Sequence, residues 1–313
     1  EAPGPAPVVV IAHGFAGSRQ MMEAYALTLA RAGYQAVAFD FQGHGRNRTP
    51  MSGDVTEVDG TTALLVAETE RIVAAAKERL AAPDAMALIG HSMATDIVIR
   101  AGIPDPAVSA LVAISMYSGA VTADQPKNLL VVTGAGEPGL RQVALDALRQ
   151  IDPSAAEGDR VEAPGLVRKA IVAPGVEHVG VLQSRTGLME TVAWLDETLG
   201  VERPRPPEIV QPGPWLLLLL AGIVALAWPL SATLPHRPET RIDTPLNPWA
   251  FWAAIALPAV ATPLILWPLP TAFLPVLVAD YLGCHLLVYG ALQAALLWRA
   301  GLRPTAEALA SGW

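Results

Sequence analysis

The chain has 313 residues, 52% of them hydrophobic and only 16% charged, with 21 basic and 29 acidic side chains and a formal charge of −8. That balance, with no cluster of Lys and Arg, excludes the electrostatic footprint of a nucleic-acid binder, and the single Cys284 excludes intrachain disulfides and a cysteine-based zinc site. The charge is unevenly spread, since residues 1–200 hold 15 basic and 23 acidic groups whereas residues 201–313 hold six of each in a very apolar background. An acidic soluble domain (1–200), a proline-rich linker (201–214) and an apolar region (215–313) are therefore expected.

The chain opens on Glu1-Ala-Pro-Gly-Pro-Ala-Pro7 without an initiator Met or a signal peptide and closes on Ser311-Gly312-Trp313, as expected of a fragment or processed chain. Val8 to Ala12 reads as a buried strand that empties into His13-Gly14-Phe15-Ala16-Gly17-Ser18, followed by a helix through Ala32 that Gly33 closes. Residues 35–40 are the next strand, leading into the loop Phe41-Gln42-Gly43-His44-Gly45-Arg46-Asn47. A long alanine-rich helix is expected over 61–82, ended by Pro83. Then Met86-Ala87-Leu88-Ile89-Gly90 runs as a strand into His91-Ser92-Met93-Ala94, and an apolar-periodic helix follows at once.

A serine at so sharp a strand-to-helix turn needs small neighbours two residues either side, and Gly90 and Ala94 meet that need. The helix N–H groups after Ser92 lack partners inside the helix, so an anionic oxygen beside the serine would find donors. Further strands are expected over 110–115, 128–133 and 168–172, with helices between and a last helix over 181–199. Strands alternating with helices, each strand apolar along its whole length, predict a mostly parallel sheet covered on both faces.

The loop His13-Gly14-Phe15-Ala16-Gly17, the Asp40 to Gly45 loop with its Gly43-His44-Gly45, and the elbow Gly90-His91-Ser92-Met93-Ala94 stand in an order and spacing that resemble the α/β-hydrolase family over residues 8–199. The resemblance implies a serine nucleophile, Ser92, with the backbone N–H groups of Phe15 and Met93 as oxyanion donors. It also implies a histidine base in the loop after the last strand, where His178 lies in Pro174-Gly175-Val176-Glu177-His178-Val179-Gly180. A serine hydroxyl needs such a base, and the base needs a carboxylate to fix its tautomer. The acid should lie between serine and histidine in sequence. Glu137, the one carboxylate in Gly134-Ala135-Gly136-Glu137-Pro138, is the first candidate and Asp124 the second; a solvated acid at a helix start is the plainer reading of Glu137.

His13 and His44 match loop positions where the family builds turns, His91 is the unconstrained middle residue of the elbow, and a structural role is the favoured reading of all three. His236 falls in a hydrophilic loop, and His285 in an apolar helix. Asp40 reads as structural, and Ser115, without small flanking residues, as core. The implied chemistry is cleavage of an acyl ester, thioester or amide through an acyl-enzyme, with no metal or cofactor called for. The segment 116–127 is too short for a cap insertion, so the site is expected to be open or covered from outside the domain.

Beyond Arg203-Pro204-Arg205-Pro206-Pro207, three spans of membrane length are expected, over 215–234, 249–267 and 272–298, with Trp215, Trp249, Trp252, Trp267 and Trp298 near their ends. Pro229, Pro258 and Pro263 are tolerable in helices packed within a bilayer. Arg237, Arg241, Arg299 and Arg303 against Arg203 and Arg205 predict, by the positive-inside bias, a hydrolase domain outside the cytoplasm on a bacterial inner membrane. Asp280, Tyr281, Cys284, His285 and Tyr289 break the third span; Tyr281, His285 and Tyr289 share one helix face, and helix–helix hydrogen bonding is the favoured reading of them. The expected partners are an acyl-bearing small molecule, lipid or peptide and the lipid bilayer, with no nucleic acid. The alternatives are a catalytically silent hydrolase-like sensor or assembly domain, and a trimming enzyme serving a membrane portion that handles lipid.

Overall fold

The computed structural model describes residues 6–51, 58–80, 85–233, 247–271, 273 and 279–302. Two compact units divide the chain, residues 1–222 and 223–313.

In the first unit β1 (Val8–Ala12), β2 (Gln35–Phe39), β3 (Met86–His91), β4 (Val108–Ile114), β5 (Asn128–Gly134), β6 (Arg160–Ala163) and β7 (Leu166–Ala173) form one sheet in the order β2-β1-β3-β4-β5-β7-β6. All neighbours are parallel except the β6/β7 pair at one edge. The helices are α1 (Glu23–Arg31), α2 (Ala63–Leu80), α3 (Ala94–Gly102), α4 (Pro138–Arg149) and α5 (Arg185–Leu199).

Central strands are buried on both faces because alternate residues feed opposite layers. Val8, Val10 and Ala12 lie in the layer that includes α2, α3 and α4, while Val9 and Ile11 lie in the layer that includes α1 and α5. Apolarity along a whole strand holds only there. Edge strand β2 is largely half-buried, and β7 alternates because its outer neighbour β6 covers little of it. Strand β6, Arg-Val-Glu-Ala, lies outside the expected set because its polar residues belong to a solvent-facing edge. The long helix expected over 61–82 covers 63–80 after an irregular turn, and Pro83 lies outside the described residues.

The connection between β4 and β5, residues 115–127, carries no helix, so no cap stands there. The proline-rich segment after α5, expected as a linker, is bound to the domain over much of its length. Arg203 pairs with Asp196 at 2.5 Å, donates to the Ala32 carbonyl and lies over the Tyr34 ring, and Val201 and Ile209 pack on the core.

Three further helices, α6 (Gly213–Ser231), α7 (Pro248–Leu266) and α8 (Ala279–Arg299), are long and apolar enough to cross a membrane. The prolines at 229, 258 and 263 lie inside these helices without ending them. Helix α8 is described from Ala279, residues 272 and 274–278 lying outside the described residues, and Asp280 in its first turn accepts the N–H groups of Phe273 at 2.6 Å and Tyr281 at 3.0 Å. Within the second unit α7 packs on α8, and Tyr289 Oη and Gln293 Nε2 donate to the carbonyls of Ile255 and Ala254. His236, Arg237, Arg241 and Arg303 lie outside the described residues.

Candidate active site

Ser92 follows β3 with φ of 52°, a left-handed conformation that swings its hydroxyl out of the strand line at the carboxyl edge of the sheet. Its flanking Gly90 is demanded by contact: a Cβ there would stand 2.5 Å from the Ala94 carbonyl oxygen and 2.8 Å from Val98 Cγ2. Gly14 is demanded likewise, since a Cβ would reach His91 Nδ1 at 2.9 Å and Ser92 Cβ at 3.1 Å. The loop after β1 therefore rests directly against the serine. Neither the Phe15 nor the Met93 N–H takes an acceptor among the turn and loop hydrogen bonds of the described residues.

His178, in the loop after β7, lies between the serine and a carboxylate. Its Nε2 accepts from Ser92 Oγ at 2.9 Å, and its Nδ1 donates to Glu137 Oε1 at 2.6 Å. Glu137 precedes Pro138 at the start of α4, yet it makes no side-chain cap to that helix. The solvated-acid reading fails because the carboxylate turns inward and is buried. Its Oε2 accepts from the Gly134 N–H at 2.6 Å and from Ser115 Oγ at 2.9 Å. Asp124, the other candidate acid, lines a cavity with Asp105, Pro106 and Asn128 at the amino ends of β4 and β5, the edge opposite Ser92.

Ser115 is the residue that sequence reasoning undervalued. It is core in burial, as expected, but its hydroxyl holds the carboxylate that holds His178. Its φ is 54°, and the non-glycine residues of positive φ among the described residues are Ala16, Ser92 and Ser115, all in the loops at this edge. Strain gathered at one edge marks a site rather than a packing accident. A serine directly after a buried strand, one strand along from the elbow, was the available signal.

The remaining histidines support the loops. His13 is fully buried; its Nδ1–H donates to the Gly14 carbonyl at 2.8 Å and its Nε2 accepts from the Phe41 N–H at 3.2 Å, with burial lowering its pKa. His44 bonds the Gln42 carbonyl at 3.0 Å. His91 is not unconstrained: it is buried, its Nε2–H donates to the His178 carbonyl at 2.8 Å, and burial brings its pKa down to about 4. Nδ1, then unprotonated, faces Gly14. Asp40 is structural as expected, accepting the N–H groups of Arg19 at 2.7 Å and Arg46 at 3.0 Å. Burial works to raise its pKa, and those two N–H groups with the Arg19 guanidinium outweigh it, so the carboxylate stays below the usual range.

Residues 3–149 match the model of a family described as serine aminopeptidase, S33. The match spans just under half of the chain and takes in Ser92 and Glu137 but ends before His178. No curated protein matches the chain by sequence. Among solved structures, an esterase of Pyrococcus furiosus, Pf2001, is similar at 16% identity over 63% of this chain and 84% of its own, with a TM-score of 0.48. Est1E from Butyrivibrio proteoclasticus, solved with ferulic acid bound, is similar at 16% identity over 63% of this chain and 89% of its own, with a TM-score of 0.45. A protein of Thermoplasma acidophilum described as a predicted CIB-like hydrolase is similar at 15% identity over 63% and 89%, with a TM-score of 0.46. Likeness this distant carries no argument about substrate. By its sheet topology and by the family match, the first unit has the α/β-hydrolase fold, and the enzyme class that goes with them is that of the serine hydrolases.

Proposed function

We propose that the chain is a membrane-anchored serine hydrolase that cleaves an acyl ester, thioester or amide through Ser92, His178 and Glu137. The observation that carries the reading is the unbroken hydrogen-bonded line from Ser92 Oγ through both nitrogens of His178 to Glu137 Oε1, at 2.9 and 2.6 Å. Residues far apart in sequence have no packing reason to meet in that order, and an esterase-like site needs them in it.

Ser92 Oγ attacks the acyl carbonyl as His178 Nε2 takes its proton, and Glu137 keeps Nδ1 protonated and steadies the imidazolium. The N–H groups of Phe15 and Met93 receive the developing oxyanion. His178 then returns the proton to the leaving group, and water activated by the same nitrogen frees the acyl-serine. Residues 1–200 are the catalytic domain and 201–214 its attached connector, and 215–313 anchor it through α6, α7 and α8. The arginines, four against two, weigh toward a hydrolase domain outside the cytoplasm of a bacterial cell.

Labelling of the full chain by a fluorophosphonate probe tests the reading. Wild type reacts, and Ser92→Ala and His178→Ala do not; an unlabelled but folded wild type would overturn the proposal in favour of a catalytically silent domain.

A further inference from the structure

Large exposed apolar side chains on the described residues before α6 are unevenly placed. They are Phe15, Leu27, Val58, Leu64, Tyr117, Val179 and Met189. Leu27 and Met189 lie along α1 and α5. Of the other five, Phe15, Tyr117 and Val179 belong to loops at the carboxyl ends of the strands, the edge that carries Ser92, and Leu64 to the first turn of α2, whereas Val58 lines a cavity with Ile103 and Gln125. Phe15 follows β1, Val58 and Leu64 lie at the start of α2, Tyr117 follows β4 and Val179 follows His178. Tyr117 is 73% exposed and Val179 52%. Phe15, Tyr117 and Val179 thus give the edge of the nucleophile an apolar character suited to meeting an apolar surface.

The path of the connector says what meets it. Helix α5 runs from the Ser92 edge down to Asp196, where Arg203 is tied. From there the chain climbs back along α1 from its last residue: Glu208 pairs with Arg31, the Val210 N–H bonds Thr28 Oγ1 at 3.0 Å, and Gln211 Nε2 reaches the Gln183 carbonyl at 3.4 Å. Gln183 stands five residues past His178, on the short turn of helix that precedes α5. Twelve residues in extended form reach about 40 Å, ample to retrace the roughly 22 Å of the 15-residue α5. Gly213 is thus delivered to the catalytic edge, and there the membrane-length helix α6 begins.

We infer that the edge carrying Ser92 lies against the lipid surface, and that the substrate is an acyl ester of a membrane lipid whose chain enters between Phe15, Tyr117 and Val179. This rests on the serine-hydrolase reading. Ser92 Oγ bonds to the ester carbonyl carbon, the lipid alcohol leaves with the proton from His178, and water then breaks the acyl-serine bond to release a fatty acid. The absence of a cap helix over residues 115–127 suits this arrangement, because the bilayer itself excludes water from the acyl chain.

Two measurements on the full chain in phosphatidylcholine vesicles test it. A bimane fluorophore is attached at Tyr117→Cys, or at Pro106→Cys on the opposite edge, in a Cys284→Ala background, and brominated lipids are added as quenchers. Quenching at 117 and none at 106 is expected; equal quenching, or none at 117, overturns the orientation. Hydrolysis of a vesicle-borne long-chain umbelliferyl ester is then compared with that of the soluble acetate ester. The double change Tyr117→Ser, Val179→Ser should lower the ratio of the two kcat/KM values at least tenfold, and an unchanged ratio overturns the lipid-substrate assignment. Fluorophosphonate labelling of the same vesicles separates the two levels: labelled protein that fails these tests refutes the lipid-facing site alone, and unlabelled protein refutes the hydrolase reading beneath it.

Discussion

Replacing Glu137 by Gln exchanges one carboxylate oxygen for an amide nitrogen at nearly constant volume, and the surroundings decide which. Oε2 accepts from the Gly134 N–H at 2.6 Å and from Ser115 Oγ at 2.9 Å, whereas Oε1 accepts from His178 Nδ1 at 2.6 Å. A backbone N–H cannot become an acceptor, so the glutamine oxygen stays beside Gly134 and its NH2 turns to His178. Nδ1 must then accept, which moves the ring proton to Nε2, the nitrogen that has to receive the proton of Ser92. The wrong tautomer of such a histidine lowers kcat by about 10⁴-fold, roughly 5 kcal/mol of transition-state stabilisation. Because each polar atom keeps a partner, the fold should survive. Steady-state hydrolysis of a short-chain nitrophenyl ester, with a thermal melt of the same detergent-solubilised sample, measures both quantities. Glu137→Gln protein that keeps activity within tenfold of wild type would refute the claim that this carboxylate sets the tautomer.

Ser115→Ala removes one of the bonds to the same buried carboxylate, at a cost of about 1.5–3 kcal/mol in stability; kcat should fall less than in Glu137→Gln because His178 keeps its tautomer, and the reverse ranking in the same assay would count against the geometry. His91 has a folded pKa of about 4 against 6.5 in the unfolded chain, so the unfolded state binds more protons between those values. Stability is therefore complete above about pH 6.5 and is lost as pH falls toward 4, by about 2 kcal/mol at pH 5. Melts at pH 7 and pH 5 should show a larger acid loss for wild type than for His91→Gln, and equal losses would dismiss the buried neutral imidazole. Gly90→Ala places a methyl group 2.5 Å from the Ala94 carbonyl oxygen and should destabilise the elbow by about 2–3 kcal/mol, with slower fluorophosphonate labelling; an unchanged melting temperature would show the turn to be more yielding than its contacts imply.

What was legible in the chain itself was whatever local chemistry dictates. Val8 to Ala12 and Met86 to Ile89 read as buried strands because nothing in them can face water, and the three late helices read as spans because their apolar runs exceed any soluble need. The elbow was legible because so tight a turn tolerates only small flanking residues. Strand β6 was not, because an edge strand is recognised by its neighbour and not by its own polar residues. The connector read as a proline-rich linker without its attachment, since the grip of Arg203 on Asp196 and Ala32 depends on residues that only folding brings near.

The same division runs through the site. The resemblance to the α/β-hydrolase family put forward Ser92, His178 and Glu137, each in a loop after a strand and each carrying a group that acyl transfer requires. The sheet is what sends Glu137 to His178 and Asp124 to the opposite edge, although they are 13 positions apart in the chain. Ser115 was read as core and His91 as structural without their partners, because their work is done on other side chains and backbone, through hydrogen bonds of 2.8–2.9 Å that leave no trace in composition or periodicity. Residue type and spacing determine what a position can do chemically, and only the packed sheet decides which of those groups meet.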